Sequence, residues 1–507
     1  MTGHLSLWPH TKILYNRATH LFKLMATANN NTISLGTDSL GKLLARYSIP
    51  AIIAMASSSL YHIIDSIFIG HGVGGAAISG MAITLPIMNI ASAFGAMVGV
   101  GAAARISIRL GEGNKRAAED ILANAVLLNL TLGISIMLLF LLFLDPILIF
   151  FSGGEASPET LDYARRFMRI IMFGNIITHL YLGLNEQLRA SGYPRKAMYI
   201  MLLSMALCTI LNPLFIFVFE WSIEGSAFAT IIAQCIALSV QIHHYTSKKS
   251  FLRFRRRSLH FKRSIVTAII SIGMAPFLLN VCASFVTRFM NTALLKYGGT
   301  GVDDVVSAAV FNGNVGDVYV GAYGIMNRVL LLFIMVANGF NQGMQPIVGY
   351  NYGAKQYGRV IKVLKYTIIC ATCVTTFAFL VGMFFPHQVA AAFVDTNNGA
   401  ADSAMVDVVA QGLGVAMMLF PLVGFQIVAG GFFQYIGRAP LAMFLSTTRQ
   451  LLFLLPLLII LAPRYGAMGA WVAMPLADGA SVFVAACLLI FQIRKLRRME
   501  HDMHFAR

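Results

Sequence analysis

The sequence predicts an all-α membrane protein of twelve transmembrane helices, arranged as two six-helix lobes. Three observations lead to this fold class: few charged residues, twelve long apolar segments, and a repeat that relates the two halves. Of the 507 residues, 57% are hydrophobic and 12% are charged. Soluble domains carry about 25% charged residues. Because so few polar residues cannot cover a core of this size in water, the bilayer is the expected solvent.

Twelve segments are long and apolar enough to cross a bilayer, which takes about 20 residues. Several of them contain no Asp, Glu, Lys or Arg at all. We number them span 1 to span 12 in chain order: 43–69, 77–104, 121–144, 168–189, 197–219, 225–247, 265–296, 319–347, 366–386, 408–435, 440–462 and 466–493.

The positions of the basic residues predict the orientation of these spans. The net charge is +17, and eight of the 38 Lys and Arg lie in Lys248–Arg263, between spans 6 and 7. With the N-terminus inside, 30 of the 38 fall on the inside and five at the outside ends of spans. Cytoplasmic loops are enriched in Lys and Arg. We therefore expect a bacterial inner-membrane protein with both termini cytoplasmic, and the basic charge does not indicate a nucleic-acid partner.

An internal repeat relates the two halves. Each half has six spans, so both enter the membrane in the same sense, which implies a pseudo-twofold axis along the membrane normal. The offset between matching residues rises from 226 in the first span to 240 after the second. This rise predicts an insertion, which we place in the outside loop 298–318. The matches are Pro50 with Pro276 (offset 226), Gly113 with Gly353 (240), Gly192 with Gly437 (245) and Gly225 with Gly469 (244).

Charge and repeat together divide the chain into five parts. They are a cytoplasmic tail (1–40), an N-lobe (41–247), a basic cytoplasmic linker (248–264), a C-lobe (265–493) and a second cytoplasmic tail (494–507).

Charged side chains at membrane depth are costly, so each one is a functional hypothesis. Asp65, near the outer end of span 1, is the strongest candidate. Asn212 in span 5 and Thr230 in span 6 reach a similar depth, and the three groups could hold a proton or a sodium ion. The alternative is that Asp65 lies in the headgroup region without a role. At an offset of 226 its counterpart is Asn291, so the acid belongs to the first half alone.

Further polar residues are candidates for lining a substrate cavity. Asp478 in span 12 is a second intramembrane acid, whose alternative role is a hydrogen bond to a neighbouring helix. Arg288 and Arg328 could neutralise Asp478, gate the cavity or reach the membrane surface. The cavity candidates are Asn175, Tyr181, Gln234, Asn291, Arg288, Asn338, Asn341, Gln345 and Asp478.

The sequence has no motif that predicts an enzyme. A phosphate-binding loop, HExxH and GxSxG are all absent, so we expect no cofactor other than a coupling ion. The six cysteines lie in apolar segments, where they behave as small core residues.

Five stretches carry a family resemblance: DSIFIGHGVGGAAISG ending span 1, RLGEGNKRAA after span 2, QLRASGYPRKAM after span 4, NPLFIF in span 5 and EGSAFATIIAQ in span 6. Over roughly Ser39–Arg494 the chain resembles the multidrug and toxic compound extrusion (MATE) family, nearest its prokaryotic DinF-like branch. The resemblance implies an antiporter whose lobes rock about a central cavity, exporting organic cations or other amphipathic compounds against H⁺ or Na⁺. The resemblance implies that Asp65 is the residue that couples cation binding to export. It also implies that Thr230 belongs to the same cation-binding network. Asn212 stands where the family usually has an acid, which leaves the coupling ion open.

Two other functions stay open from the sequence. A lipid-linked saccharide flippase of the same wider superfamily would need a cationic cavity, for which Arg288 and Arg328 are the candidates. A membrane receptor or scaffold would show no cation-coupled flux. In each case we expect a monomer in contact with the lipid bilayer.

Overall fold

The computed structural model describes residues 34–152, 157–247, 250–254, 260–301, 315–393 and 400–505, and the regular secondary structure in these ranges is entirely helical. We number the spanning helices α1 to α12 after the predicted spans. Helices α1 to α6 are Leu40–Gly72, Gly75–Gly111, Lys115–Leu142, Pro158–Ala190, Pro194–Pro213 and Ser222–Thr246. Helices α7 to α9 are Arg263–Tyr297, Val315–Gly353 and Tyr357–Phe384, and α10 consists of Ala400–Ala416 and Phe420–Tyr435. Two short helices, Leu144–Ser152 and Pro386–Ala391, follow α3 and α9.

The last two spans form one long helical stretch. Helix α11 begins as Ala439–Thr447, continues through the π-helical Thr448–Leu454 and enters the helix Leu455–Phe505. Gly466 breaks that helix with φ +61° and ψ −142°, a backbone conformation that glycine adopts without steric cost. The residues after this break form α12.

The number of spans agrees with the prediction. Among the described residues, ten helices are long and apolar enough to cross a membrane, and α10, bent by 58°, makes eleven. One of the ten, Ala439–Met503, has 65 residues, more than twice what a bilayer core of about 30 Å needs at about 1.5 Å per residue. Its break at Gly466 therefore separates two spans, which brings the number of spans in the described ranges to twelve. The predicted fold class is confirmed.

Large apolar side chains cover the outer faces of the helices. Leu142, Phe483 and Phe491 are exposed by 70% or more, as is expected where lipid rather than water is the solvent.

The first helix of each lobe also packs in the other lobe. Leu43 and Tyr47, early in α1, lie in the hydrophobic core of the C-lobe, whereas Ile69, late in α1, lies in that of the N-lobe. Helix α7 does the reverse, with Ile269 in the N-lobe core and Met290 in the C-lobe core. This exchange obeys the expected twofold relation, and it makes α1 and α7 the helices that connect the lobes mechanically.

Glycines allow α2 and α7 to approach each other closely. A Cβ atom at Gly273 of α7 would lie 1.8 Å from the carbonyl oxygen of Met97 in α2. In return, a Cβ atom at Gly101 of α2 would lie 2.2 Å from the carbonyl oxygen of Ile269 in α7. Small residues at such crossings let membrane helices pack backbone to backbone.

The pseudo-twofold axis passes between α2 and α8. A Cβ atom at Gly111 would lie 2.0 Å from the carbonyl oxygen of Tyr350, and one at Gly353 would lie 2.1 Å from that of Ile108. These contacts are reciprocal, because Gly111 corresponds to Gly353 and Ile108 to Tyr350. A contact that exchanges its two partners lies on a twofold axis.

Two of the predicted repeat offsets are wrong. Gly113 corresponds to Lys355 and not to Gly353, since both residues end the same turn with positive φ, +75° and +59°. Matching glycine with glycine gives the wrong offset here, because in the second half a lysine, Lys355, occupies the left-handed position. Ile52 of α1 contacts Gly339 of α8 in the way that Gly273 of α7 contacts Met97 of α2. Ile52 therefore corresponds to Gly273, and the offset for α1 is 221 and not 226.

The offset of 245 agrees with the structure. Gly192 and Gly437 have φ values of +95° and +75°, and each stands two residues before a helix. With the offset of 221, Asp65 corresponds to Val286, so the acid still belongs to one lobe.

Polar contacts hold the segment before α1 at one end of the bundle, which we call the basic end: α1 and α7 begin there, and α2 and α8 end there. Arg359 of α9 donates hydrogen bonds to the backbone oxygens of Asp38 (2.8 Å) and Leu35 (3.2 Å). Asn351 Nδ2 donates to the same Leu35 oxygen at 3.0 Å. The segment that leads into α1 is therefore fixed to the C-lobe.

The described part of the basic linker packs on the N-lobe. Lys262 Nζ lies 2.6 Å from Asp120 Oδ2, and its backbone N–H donates to Asn124 Oδ1 at 2.8 Å. Leu252 is buried. Residues 248–249 and 255–259 of the linker, and 302–314 of the predicted insertion, lie outside the described residues.

We expect Arg359→Ala to loosen the segment before α1. Hydrogen bonds that involve a charged group contribute about 1.5–3 kcal/mol, and the substitution removes those to Leu35 and Asp38. Limited proteolysis should then cut near residue 38 faster than in the wild type. The control is Lys362→Ala on the exposed face of the same helix, and equal cleavage of both variants would contradict the proposed anchor.

Candidate cation site in the N-lobe

A buried carboxylate stands in the N-lobe, at the end of the bundle opposite the basic end. Asp65 is 5% exposed and lies seven residues before the end of α1. Asn212 Nδ2 of α5 donates to Asp65 Oδ1 at 2.5 Å, and Ser226 Oγ of α6 donates to the same oxygen at 2.8 Å. Three helices thus contribute one side chain each. The contact of Asp65 with Asn212 agrees with the sequence prediction, whereas Ser226 was missed.

Local backbone structure explains why Asn212 faces Asp65. Pro213 ends the α-helical part of α5, and residues Leu214–Val218 continue as a π-helix. A proline cannot donate a backbone hydrogen bond, and π-helical segments frequently occur at functional sites. The wider turn begins two residues after Asn212, which is itself fully buried.

Thr230 lies one contact away from Asp65. Its hydroxyl is 3.3 Å from the hydroxyl of Tyr61, which stands one turn before Asp65 in α1. The Cys208 thiol of α5 interacts with Tyr61 and donates to the carbonyl oxygen of Ala229 at 3.8 Å. Tyr61 and Cys208 were not predicted. Tyr61 stands four residues before Asp65, on the same face of α1, and this spacing was the available signal for it.

An unsatisfied oxygen makes this site suitable for a cation. Asn212 Oδ1 is buried and finds no hydrogen-bond partner among the described residues. Buried polar atoms are normally satisfied. A proton or Na⁺ held near Asp65 would supply positive charge to this oxygen. Carboxylate, amide and hydroxyl oxygens form a donor set that fits Na⁺ as well as H⁺, so the residues of the site fit either ion.

Three of the predicted cavity residues lie on α4 and α6. Thr178 Oγ1 donates to Gln234 Oε1 at 2.5 Å. Tyr181 is buried and interacts with Ser204 of α5. Asn175 is buried, and its Nδ2 has no partner among the described residues.

The predicted C-lobe residues lie on α7 and α8. Asn341 and Gln345 are buried, and Asn341 packs against Gly431 of α10. Asn338 and Asn291 are partly buried. Arg288 donates to the backbone oxygen of Phe150, and its guanidinium lies 4.3 Å from the centre of the Phe150 ring.

The charge that neutralises Asp478 comes from Arg449 and not from Arg288, one of the two arginines that were candidates for that role. Arg449 of α11 pairs with it, through Nε and Oδ1 at 2.5 Å, while Arg288 contacts the short helix after α3. Arg449 lies inside the predicted span 440–462, and nothing in the sequence marked it as the partner of Asp478. Asp478 therefore bonds a neighbouring helix, which was its alternative interpretation. Asp478 itself is only 2% exposed.

Comparison with known proteins places this arrangement in a family. A family model described as MatE matches residues 50–214 and 306–460, which together exceed half of the chain. The multidrug export protein MepA of Staphylococcus haemolyticus (strain JCSC1435) is 25% identical over 456 residues, 90% of this chain and 94% of the relative. MepA of Staphylococcus aureus (strain N315) is 24% identical over 453 residues, 89% of this chain and 94% of the relative.

Solved structures share the fold. A MATE protein in complex with MaL6 superposes with a TM-score of 0.82 at 22% identity, covering 92% of this chain and 99% of that one. An outward-facing multidrug resistance MATE family transporter of the MOP superfamily gives 0.82 at 22% identity, covering 92% and 98%. With both lobes matched by the family model and almost the full length by its relatives, the chain belongs to the MatE family, whose members are multi-pass membrane transporters and not enzymes.

Proposed function

We propose that this protein is a secondary antiporter that exports organic cations or other amphipathic compounds in exchange for H⁺ or Na⁺. The observation that carries this proposal is Asp65: a buried carboxylate whose hydrogen-bond donors, Asn212 and Ser226, are neutral. A carboxylate in such a place gains from binding a cation, because an unpaired charge is costly away from water.

Helix α1 supplies a route from cation binding to lobe movement. It holds Asp65 in the N-lobe, while its first turns, with Leu43 and Tyr47, belong to the core of the C-lobe. Neutralising Asp65 weakens its hold on Asn212 and Ser226, which allows α1 to bend or repack. The same change weakens substrate binding in the cavity between the lobes, and the loaded carrier then turns inward to release the cation.

The close contacts at the basic end favour an outward-facing state for this conformation. The glycine contacts of α2 with α8 close the lobes there, and the positive-inside rule assigns that end to the cytoplasm. Asp65 then lies towards the outside, where it takes up the coupling ion. In an inner membrane the potential contributes about 2.3 kcal/mol per charge per 100 mV, enough to bias such a cycle.

Reconstituted vesicles test the proposal. Protein-containing vesicles with an imposed pH gradient, or an imposed Na⁺ gradient, should move ethidium against its own gradient, and collapsing the gradient should stop the movement. A membrane receptor or scaffold would give no gradient-dependent movement, and that result would contradict the proposal. The same vesicles decide between H⁺ and Na⁺.

The flippase alternative makes a different prediction. It requires Arg288 and Arg328 to bind the phosphates of a lipid-linked saccharide, whereas Arg288 contacts Phe150. Binding of a pyrophosphate lipid that is lost in Arg288→Ala would favour the flippase. We expect no such dependence.

Ser226 should matter more than Thr230 for coupling. Ser226 donates directly to Asp65, while Thr230 contacts Tyr61. Since a hydrogen bond to a charged group contributes at least about 1.5 kcal/mol, we expect Ser226→Ala to slow coupled export by about tenfold or more. Thr230→Val should slow it by less than about threefold. Export rates in the same vesicles check this order, and the reverse order would contradict the assigned geometry.

A further inference from the structure

The C-lobe contains a second buried acid, which is neutralised by the protein itself. Asp478 of α12 is 2% exposed, and Arg449 Nε of α11 donates to its Oδ1 at 2.5 Å. The side chain of Arg449 is 25% exposed. The N-lobe differs, because the donors to Asp65 carry no charge. One lobe thus holds a carboxylate that can accept a cation, and the other holds a carboxylate with a cation already attached.

The backbone around the two acids has a common feature. Arg449 lies within the π-helical segment Thr448–Leu454 of α11. In the N-lobe, the π-helical segment Leu214–Val218 follows directly after Asn212 and Pro213. In each lobe, therefore, the fifth helix leaves α-helical geometry beside the residue that contacts the buried acid. Such segments often mark functional sites.

The groups that surround Asp478 on the neighbouring helices can be named. Arg449 is the charged group that acts on it among the described residues. Tyr323 of α8 lies close enough to Arg449 to interact with its charge, and interacts with Thr287 of α7. Ser481 of α12 connects this site with α10. Its Oγ lies 2.9 Å from Gln426 Oε1 of α10 and 2.9 Å from the backbone oxygen of Asp478.

We propose that Arg449 is a tethered cation that occupies a second cation site at Asp478. The inference rests on the proposed antiport, and it assigns a stoichiometry to it. With Asp478 occupied by Arg449, the carrier exchanges one cation per cycle, through Asp65. The ligand class of the hidden site is a monovalent cation, H⁺ or Na⁺, that takes the place of the guanidinium.

Removing the arginine should expose the site. A buried carboxylate without its partner is strongly destabilised, and binding a cation relieves this. Arg449→Met removes the charge and keeps an apolar chain of similar length. Arg449→Gln removes the charge and keeps a hydrogen-bond donor, and so serves as the second variant. Arg449→Lys keeps the charge and is the matched control.

The first test measures cation binding without transport, in an Asp65→Asn background that removes the first site. Purified protein is titrated with NaCl at constant ionic strength, and proton uptake is followed separately with a pH indicator. We expect Asp65→Asn alone, or with Arg449→Lys, to bind no cation. Adding Arg449→Met or Arg449→Gln should create about one site per protein, and adding Asp478→Asn should abolish it.

The second test measures coupling in an otherwise wild-type protein. With the membrane potential clamped at zero, a tenfold cation gradient should sustain about a tenfold substrate gradient in the wild type. The Arg449 variants should sustain about a hundredfold gradient, since two cations drive each cycle. Asp478→Asn should stay at about tenfold, because that acid is already neutralised.

The outcomes separate this inference from the proposed function. If vesicles with the wild-type protein show no uphill transport, the antiport is wrong, while the binding titration still decides on Asp478. Folded Arg449→Met and Arg449→Gln proteins that bind no extra cation would overturn the inference. A coupling ratio in Asp478→Asn below that of the wild type would also overturn the inference. This measurement needs no substitution of Arg449, so it decides even if both Arg449 variants fail to fold.

Discussion

Replacing Asp65 by asparagine is expected to abolish cation-coupled export. The substitution preserves the size and shape of the side chain but removes the charge that binds the coupling ion in the proposed mechanism. The hydrogen-bond donors to Asp65, Asn212 and Ser226, are neutral, so neither can replace its charge. Ethidium export driven by a pH or Na⁺ gradient should fall to the level of vesicles without protein.

Folding should survive this substitution, which makes the loss informative. An amide in place of a carboxylate lowers the cost of burial, so we expect the thermal unfolding temperature of Asp65→Asn to equal or exceed that of the wild type. The matched control is Asp162→Asn, at an acid of α4 whose side chain is 54% exposed. Normal export by Asp65→Asn would remove this residue from the mechanism.

The sequence predicted those features that depend on local signals. Twelve apolar segments of sufficient length determine the number of spans, and a carboxylate at membrane depth stands out because its cost is high. The same signals therefore predict Asp65 and Asn212 together. Thr230 was predicted in the same way, and its side chain contacts Tyr61 and Cys208.

The features that were missed depend on tertiary contacts. Ser226 carries no distinctive signal, since serines are common in membrane helices; only its position one turn before Thr230 connects it with the site. The pairing of Arg449 with Asp478 requires knowledge of which faces of α11 and α12 meet. The exchange of α1 and α7 between the lobe cores could not be predicted either, because the apolar residues at both ends of each helix look alike.

The closed contact between α2 and α7 leads to a second large effect. Gly273→Ala would place its Cβ atom 1.8 Å from the carbonyl oxygen of Met97. Backbone atoms cannot move aside as a flexible side chain can, so the two helices must separate. Overpacking of this kind costs about 1–3 kcal/mol, which shifts the equilibrium away from the state closed at the basic end by about 5- to 150-fold. A carrier that no longer closes there should lose most of its coupled export.

Thiol labelling can measure this opening directly. Ser107 is 1% exposed and packs against Gly349 at the basic end, so a cysteine introduced there, in a protein otherwise free of cysteine, should react slowly with a membrane-impermeant maleimide. Adding Gly273→Ala should accelerate labelling from the basic side by at least about fivefold. The control is Gly430→Ala in α10, where a Cβ atom meets nothing within 4 Å and helix propensity favours alanine. Slow labelling and normal export in Gly273→Ala would show that the approach of α2 and α7 does not hold the basic end closed. Fast labelling with export lost would show that the backbone contact between Gly273 and Met97 is needed, together with the contacts of α2 with α8, to keep the basic end closed.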